Sequence, residues 1–218
     1  MKLSILLALL LIYGGSFSQD QIRNDSLVSE MCKTISINRN LSDSARMIMT
    51  FQKHLFPFLA EYPEEKREQI GENIYYRFQR SCGEFKVLLD RLDPPKGDWE
   101  SITEKPKASK DKKICNQFFK YTNYSYLEHN GDTVRIKIEN GYWTDFFKDG
   151  SFSKLKLKVI NDCEFEIEFI ESNNLVRKNF SKLGDRYRYQ ILEKKIGYYD
   201  MSVEISGQNR FMKFKLYF

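Results

Sequence analysis

Four cysteines, two histidines and three glutamates spaced two apart are the residues here with the widest chemistry. Cys32, Cys82, Cys115 and Cys163 each stand alone, without the Cys-x-x-Cys or paired-His spacing that would gather ligands around a metal. His54 lies beside Leu55 and Phe56 in a helical stretch, and His129 precedes an Asn130-Gly131 turn. A general base must reach a nucleophile, yet the chain holds no Gly-x-Ser-x-Gly, His-Glu-x-x-His or phosphate-cradling glycine loop. His54 therefore reads as a helix-surface residue and His129 as a solvated loop residue. Glu164, Glu166 and Glu168 could supply a carboxylate pair for glycoside hydrolysis. They share one strand face opposite Lys154, Lys156 and Lys158, however, and cross-strand charge pairing is the simpler account. Tyr121, Tyr124, Tyr126, Tyr142 and Trp143 could stack on sugars or bases. Strands are enriched in these residue types, so they read as core and edge positions. No catalytic, metal-binding or cofactor-binding residues are assigned, no cofactor is expected, and the balance leans away from an enzyme.

The elements that carry these residues fall into distinct stretches. Lys2, the apolar run Leu3–Tyr13, Gly14-Gly15 and Ser16-Phe17-Ser18 form the tripartite layout of a signal peptide over residues 1–18, cleaved before Gln19. The apolar run is too short to span a ~30 Å hydrocarbon core as a permanent helix. Residues 19–93 read as a helical domain, a three-helix bundle. Its first stripe is Val28, Met31, Cys32 and Ile35. A second helix, capped by Ser42, carries Ile48, Phe51 and Leu55 and is kinked or ended by Pro57. A third starts at Pro63 and runs through Ile70, Ile74, Phe78, Cys82, Phe85, Leu89 and Leu92. Residues 94–113, lysine- and proline-rich, read as a flexible linker in which Trp99 alone could dock. From Ile114 the period drops to two, and eight turn signals between Asn130-Gly131 and Gly207 imply about nine short strands over residues 114–218. The fold class is α+β, with the strands forming an antiparallel meander closed as a barrel or sandwich.

Cysteines in an exported chain are expected to be paired. Three pairings are open. Pairing within each half joins Cys32 to Cys82 on the helical stripes and Cys115 to Cys163 in the β region.

Face matching sets a register for the hairpin of the Leu155 and Phe165 strands. A three-residue loop, Ile160 to Asp162, would put Val159 opposite Cys163, Leu157 opposite Phe165 and Lys156 opposite Glu166, with a left-handed residue in the loop. It would also turn Cys163 inward with the apolar set.

Cys115-Asn116-Gln117-Phe118, the hairpin near Gly141, and Leu155–Glu171 centred on Asn161-Asp162-Cys163-Glu164 resemble segments of small exported Gram-negative bacterial proteins of unknown function. The C-terminal halves of those proteins look like reduced lipocalin-type barrels. The resemblance covers mainly residues 114–172 and implies a lipocalin-like β domain in an exported, secreted or periplasmic protein, with no activity attached. The formal charge of +5 comes from lysines interleaved with glutamates rather than gathered on one face, so nucleic acid is not an expected partner. The resulting expectation is a non-catalytic binding or interaction protein with a small apolar ligand or a protein partner, and no membrane association. The alternatives are a small extracytoplasmic hydrolase with an unassigned site and a small outer-membrane β-barrel. The apolar alternation of Met212, Phe214 and Leu216 before terminal Phe218 resembles the closing strand of such barrels. Asn24, Asn40, Asn123 and Asn179 begin Asn-x-Ser sequons that matter only in a glycosylating host.

Overall fold

A computed structural model describes residues 22–95, 97–205, 208 and 211–218. The signal peptide read over residues 1–18 and the turn at Gly207 lie outside them. The chain divides into two compact units at Phe85/Lys86.

In the helical unit, α1 (residues 22–37) buries Val28, Met31 and Ile35, three of the residues its apolar stripe predicts. The second helix departs from its predicted stripe. α2 (Asp43–Thr50) is capped by the Ser42 hydroxyl, which accepts from the Ala45 amide, but Ile48 is 54% exposed and Arg46 is buried in its place. Arg46 donates from Nη2 at 2.7 Å and from Nε at 3.1 Å to the Ile35 carbonyl, one of the orphan acceptors that end α1. Its charge is met by Asp43 and Glu84. A π turn over Phe51–Leu55 then leads into α3 (Phe56–Ala60). Pro57 therefore neither ends nor breaks the helix. It sits in the first turn of α3, and the widened turn before it, closed by Phe56 N–H to the Phe51 carbonyl, makes room for a ring that would strike a regular turn.

The single third helix of the sequence reading is two helices, α4 (Glu64–Ser81) and α5 (Gly83–Leu92). Cys82 between them is extended (φ −121°, ψ 101°) and bonded to Cys32. One extended residue resets the helical phase, so α5 buries Phe85 and Leu88 while Leu92 is exposed.

In the second unit, strands β2 (Asn123–Leu127), β3 (Thr133–Glu139), β4 (Tyr142–Phe146), β5 (Phe152–Asn161), β6 (Glu164–Ser172), β7 (Arg186–Lys194), β8 (Tyr198–Ile205) and β9 (Phe211–Tyr217) form an antiparallel meander. They close into an eight-stranded barrel where β9 meets β2 through Tyr217 and Ser125. A ninth strand, β1 (Glu100–Ile102), pairs with β9 from Lys213 to Phe211. It comes from the segment read as a linker. Trp99 beside it stacks on Phe214 at 4.6 Å, and the Ser109 amide donates to the Ile191 carbonyl. Two helices stand in the region read as strand: α6 (Lys112–Phe118), which begins in the last two residues of the stretch read as linker, and α7 (Leu175–Phe180) between the turns at Asn173-Asn174 and Gly184-Asp185. The Asn174 side chain caps α7 by accepting from the Arg177 amide at 3.1 Å, an alternative that strand pairing would forgo. Asn140 and Gly141, both at positive φ, make the tight β3–β4 turn.

The β5–β6 register keeps the predicted faces but slips by two residues. Val159 faces Phe165, Leu157 faces Ile167, Lys158 faces Glu166 and Lys156 faces Glu168. An irregularity between Val159 and Asn161 absorbs Ile160, leaving Asp162-Cys163 as the turn, with the Cys163 amide donating to Asn161 Oδ1. No residue of that turn is left-handed. Cys163 still points inward and is bonded to Cys115 of α6. That bond seats α6 over one end of the barrel, where Phe118 packs against Tyr124, Phe165 and Tyr199.

A candidate ligand site under helix α7

The barrel end away from α6 is filled less completely. β4 sends Trp143 and, two residues on, Asp145 inward. β2 contributes Tyr126, β7 contributes Tyr187 and Tyr189, β9 contributes Phe214, and Trp99 enters from the segment before β1. Together with Arg177 of α7 and, among others, Ser153 and Leu155 of β5, they line a half-open cavity of about 110 Å³. Outside it, the β2–β3 and β4–β5 loops and α7 border an open cleft of about 600 Å³ that includes Glu128, His129, Phe147 and Lys148. Arg177 lines both spaces.

Arg177 is held from several sides. Its Nη2 donates to the Tyr126 hydroxyl at 3.1 Å and to Glu128 Oε1, and its guanidinium lies over the Phe147 ring, 5.4 Å from the centroid. Burial works against its charge, but Tyr126, Glu128 and Asp145 outweigh that and push its pKa up. Asp145 is 7% exposed. Trp143 Nε1 donates to its Oδ1 at 2.8 Å, and among the described residues no donor reaches its other oxygen. Burial, with a smaller addition from Glu128, raises its pKa to about 6 against the opposing pull of Arg177 and the Trp143 hydrogen bond. Burial also pushes up the phenols of Tyr126 and Tyr189. Two carboxylates thus face one guanidinium inside aromatic walls. That arrangement can bind and orient a small polar or charged molecule.

Tyr126 and Trp143 line the cavity, Tyr124 packs under Phe118, and Tyr121 and Tyr142 are not among its lining residues. Glu164, Glu166 and Glu168 lie on the outer face. Their closest cations are Arg188 and Arg186 of β7 rather than the β5 lysines, with Arg188 2.6 Å from Glu164 and Arg186 3.1 Å from Glu168. His54 is not simply on the surface: its Nε2 is 2.7 Å from the hydroxyl of buried Thr34, and burial lowers its pKa. His129 borders the cleft, 3.5 Å from Asp93. Cys115–Cys163 braces the opposite barrel end.

Asp145, Arg177, Glu128 and Tyr189 were not singled out from the sequence. A signal for Asp145 existed, because it shares the inward phase of Trp143, where an unpaired charge is unusual. Arg177 carried none, since its stretch read as strand.

The chain matches no protein-family model, and no match to it was found among curated proteins or solved structures.

Proposed function

We propose that this is an exported, non-catalytic binding protein with a lipocalin-like barrel, taking a small ligand at the α7 end. The observation that carries the reading is Arg177. A guanidinium enclosed among aromatic rings and shared by an outer cleft and an inner cavity is the arrangement expected of a ligand's entry and anchor point. Export is supported by the tripartite N-terminus and by two disulfides, which persist in oxidising compartments. An outer-membrane barrel is disfavoured by the wall itself. Exposed Arg135, Lys137, Lys156 and Lys158 point outward, where lipid-facing strands carry apolar side chains. Among the described residues no helix is long and apolar enough to cross a membrane.

The cavity is small. A 150 Å³ apolar cavity admits benzene, so about 110 Å³ suits a ligand head of roughly four or five non-hydrogen atoms, with anything larger extending into the cleft. Both tryptophans of the protein line it, so their emission reports occupancy. A panel of small solutes titrated against the mature chain should shift that emission saturably. Ser153→Leu, which fills the cavity from a buried lining position, should abolish the shift while leaving the circular dichroism unchanged. An undiminished response in that variant would place the binding elsewhere and end the proposal.

A further inference from the structure

We infer that the cavity recognises a small alkylammonium ion, with mono- to trimethylated amines as the fitting class. This rests on the reading of the α7 end as a ligand site and adds the sign of the charge and the chemistry of the head group.

Three observations converge. First, the fixed charges do not balance. Arg177 gives its two hydrogen bonds to Glu128 and Tyr126 and none to Asp145, whose second oxygen meets no donor among the described residues and lies at the wall of a half-open, largely apolar cavity. Arg177 offsets only part of the charge of two carboxylates, and a poorly solvated carboxylate gains from a further cation. Second, the walls are aromatic. Trp99 stacks on Phe214, and with Tyr126, Trp143 and Tyr189 these rings make up much of the lining, beside Ser153, Leu155 and Ile167. Ring faces carry negative quadrupole potential and attract desolvated ammonium groups. Third, the volume suits the class. Trimethylammonium has four non-hydrogen atoms, one N–H to donate to Asp145, and three methyl groups to lie against the rings. An anion would meet two carboxylates beside a single guanidinium, so the net charge of the wall opposes it. A neutral apolar solute would leave Asp145 uncompensated.

A ligand this small binds weakly, on the order of tens of micromolar at the tightest. Calorimetry and tryptophan emission on the full mature chain at pH 7.5 should therefore compare trimethylammonium with tert-butanol and acetate. Trimethylammonium is expected to bind at least tenfold more tightly than either. Asp145→Asn keeps the acceptor for Trp143 and should cost trimethylammonium at least tenfold while sparing tert-butanol. Tyr189→Leu removes an aromatic wall, leaves Asp145 in place and should also weaken the cation, which guards against misreading a folding defect in the first variant. Preference for acetate or tert-butanol, or cation affinity unchanged in Asp145→Asn, overturns the charge assignment and leaves the ligand site standing. Silence of both tryptophans toward all three probes overturns the assignment and the site together.

Discussion

Asp145→Asn should make the barrel more stable, and only above a certain pH. The folded state holds the Asp145 carboxyl at a pKa of about 6 against an ordinary value of 3.8, because burial disfavours the anion. At about 1.36 kcal/mol per pKa unit, the gap corresponds to about 3 kcal/mol. The sign follows from the direction. An acid whose folded pKa is raised binds its proton more tightly when folded, so its contribution is full below pH 4, is lost as pH rises to about 6, and stays lost above. The groups facing it are Arg177 from α7, Glu128 from the β2–β3 loop, Tyr126 from β2, Trp143 on its own strand and Tyr189 from β7. Asparagine keeps the Trp143 hydrogen bond and does not titrate. The stability of Asp145→Asn relative to wild type should then climb by up to about 3 kcal/mol between pH 4 and pH 7, on top of any constant offset from removing a charge near Arg177. Urea unfolding followed by tryptophan emission measures this on the right unit, since Trp99 and Trp143 both belong to the barrel. A difference that stays flat to within about 0.5 kcal/mol over that range would refute the reasoning, because Asp145 would then titrate in the folded state as it does in the unfolded one.

Other expectations are simpler. Replacing Cys115 and Cys163 together by alanine should lower barrel stability by about 4 kcal/mol, from the loop of 48 residues it opens; a loss under about 1 kcal/mol would mean α6 stays seated without the bond. Phe118→Ala empties a fully buried position between Tyr124, Phe165 and Tyr199 and should cost about 3–5 kcal/mol by urea titration. Mass analysis of the protein recovered outside the cytoplasm of an expressing host should find Gln19 at the N-terminus, and an intact Met1 there would contradict cleavage.

Much of this architecture was legible because periodicity and cysteine placement constrain each other. Cys32 and Cys82 sat on helical stripes, Cys115 and Cys163 in the β region, and both bonds form within those regions. The β5–β6 hairpin marks the limit of such reasoning. Face matching distinguishes odd from even slips but is blind to a step of two, so it kept lysine opposite glutamate while missing the irregularity at Ile160. Tertiary effects hid the rest. Leu175 and Val176 suggest a strand, yet the Asn174 cap and the contacts of Arg177 with Tyr126, Glu128 and Phe147 hold a helix there. The lysine-rich stretch after Pro95 reads as solvated, but Trp99 finds Phe214 and donates to the Leu127 carbonyl, fastening its start to the barrel. The site depends on both of these elements, which is why it was least visible in the sequence.

The most direct test of a ligand site at the α7 end is a proton–nitrogen NMR titration of the two indole groups. Trp99 donates to Leu127 and Trp143 donates to Asp145, so each indole N–H reports on a different wall of the cavity. With trimethylammonium as probe, both resonances should move saturably with one shared affinity, and neither should move in Ser153→Leu. Two indole signals that stay fixed through saturating trimethylammonium, tert-butanol and acetate in turn, or that shift equally in the filled variant, would contradict the account.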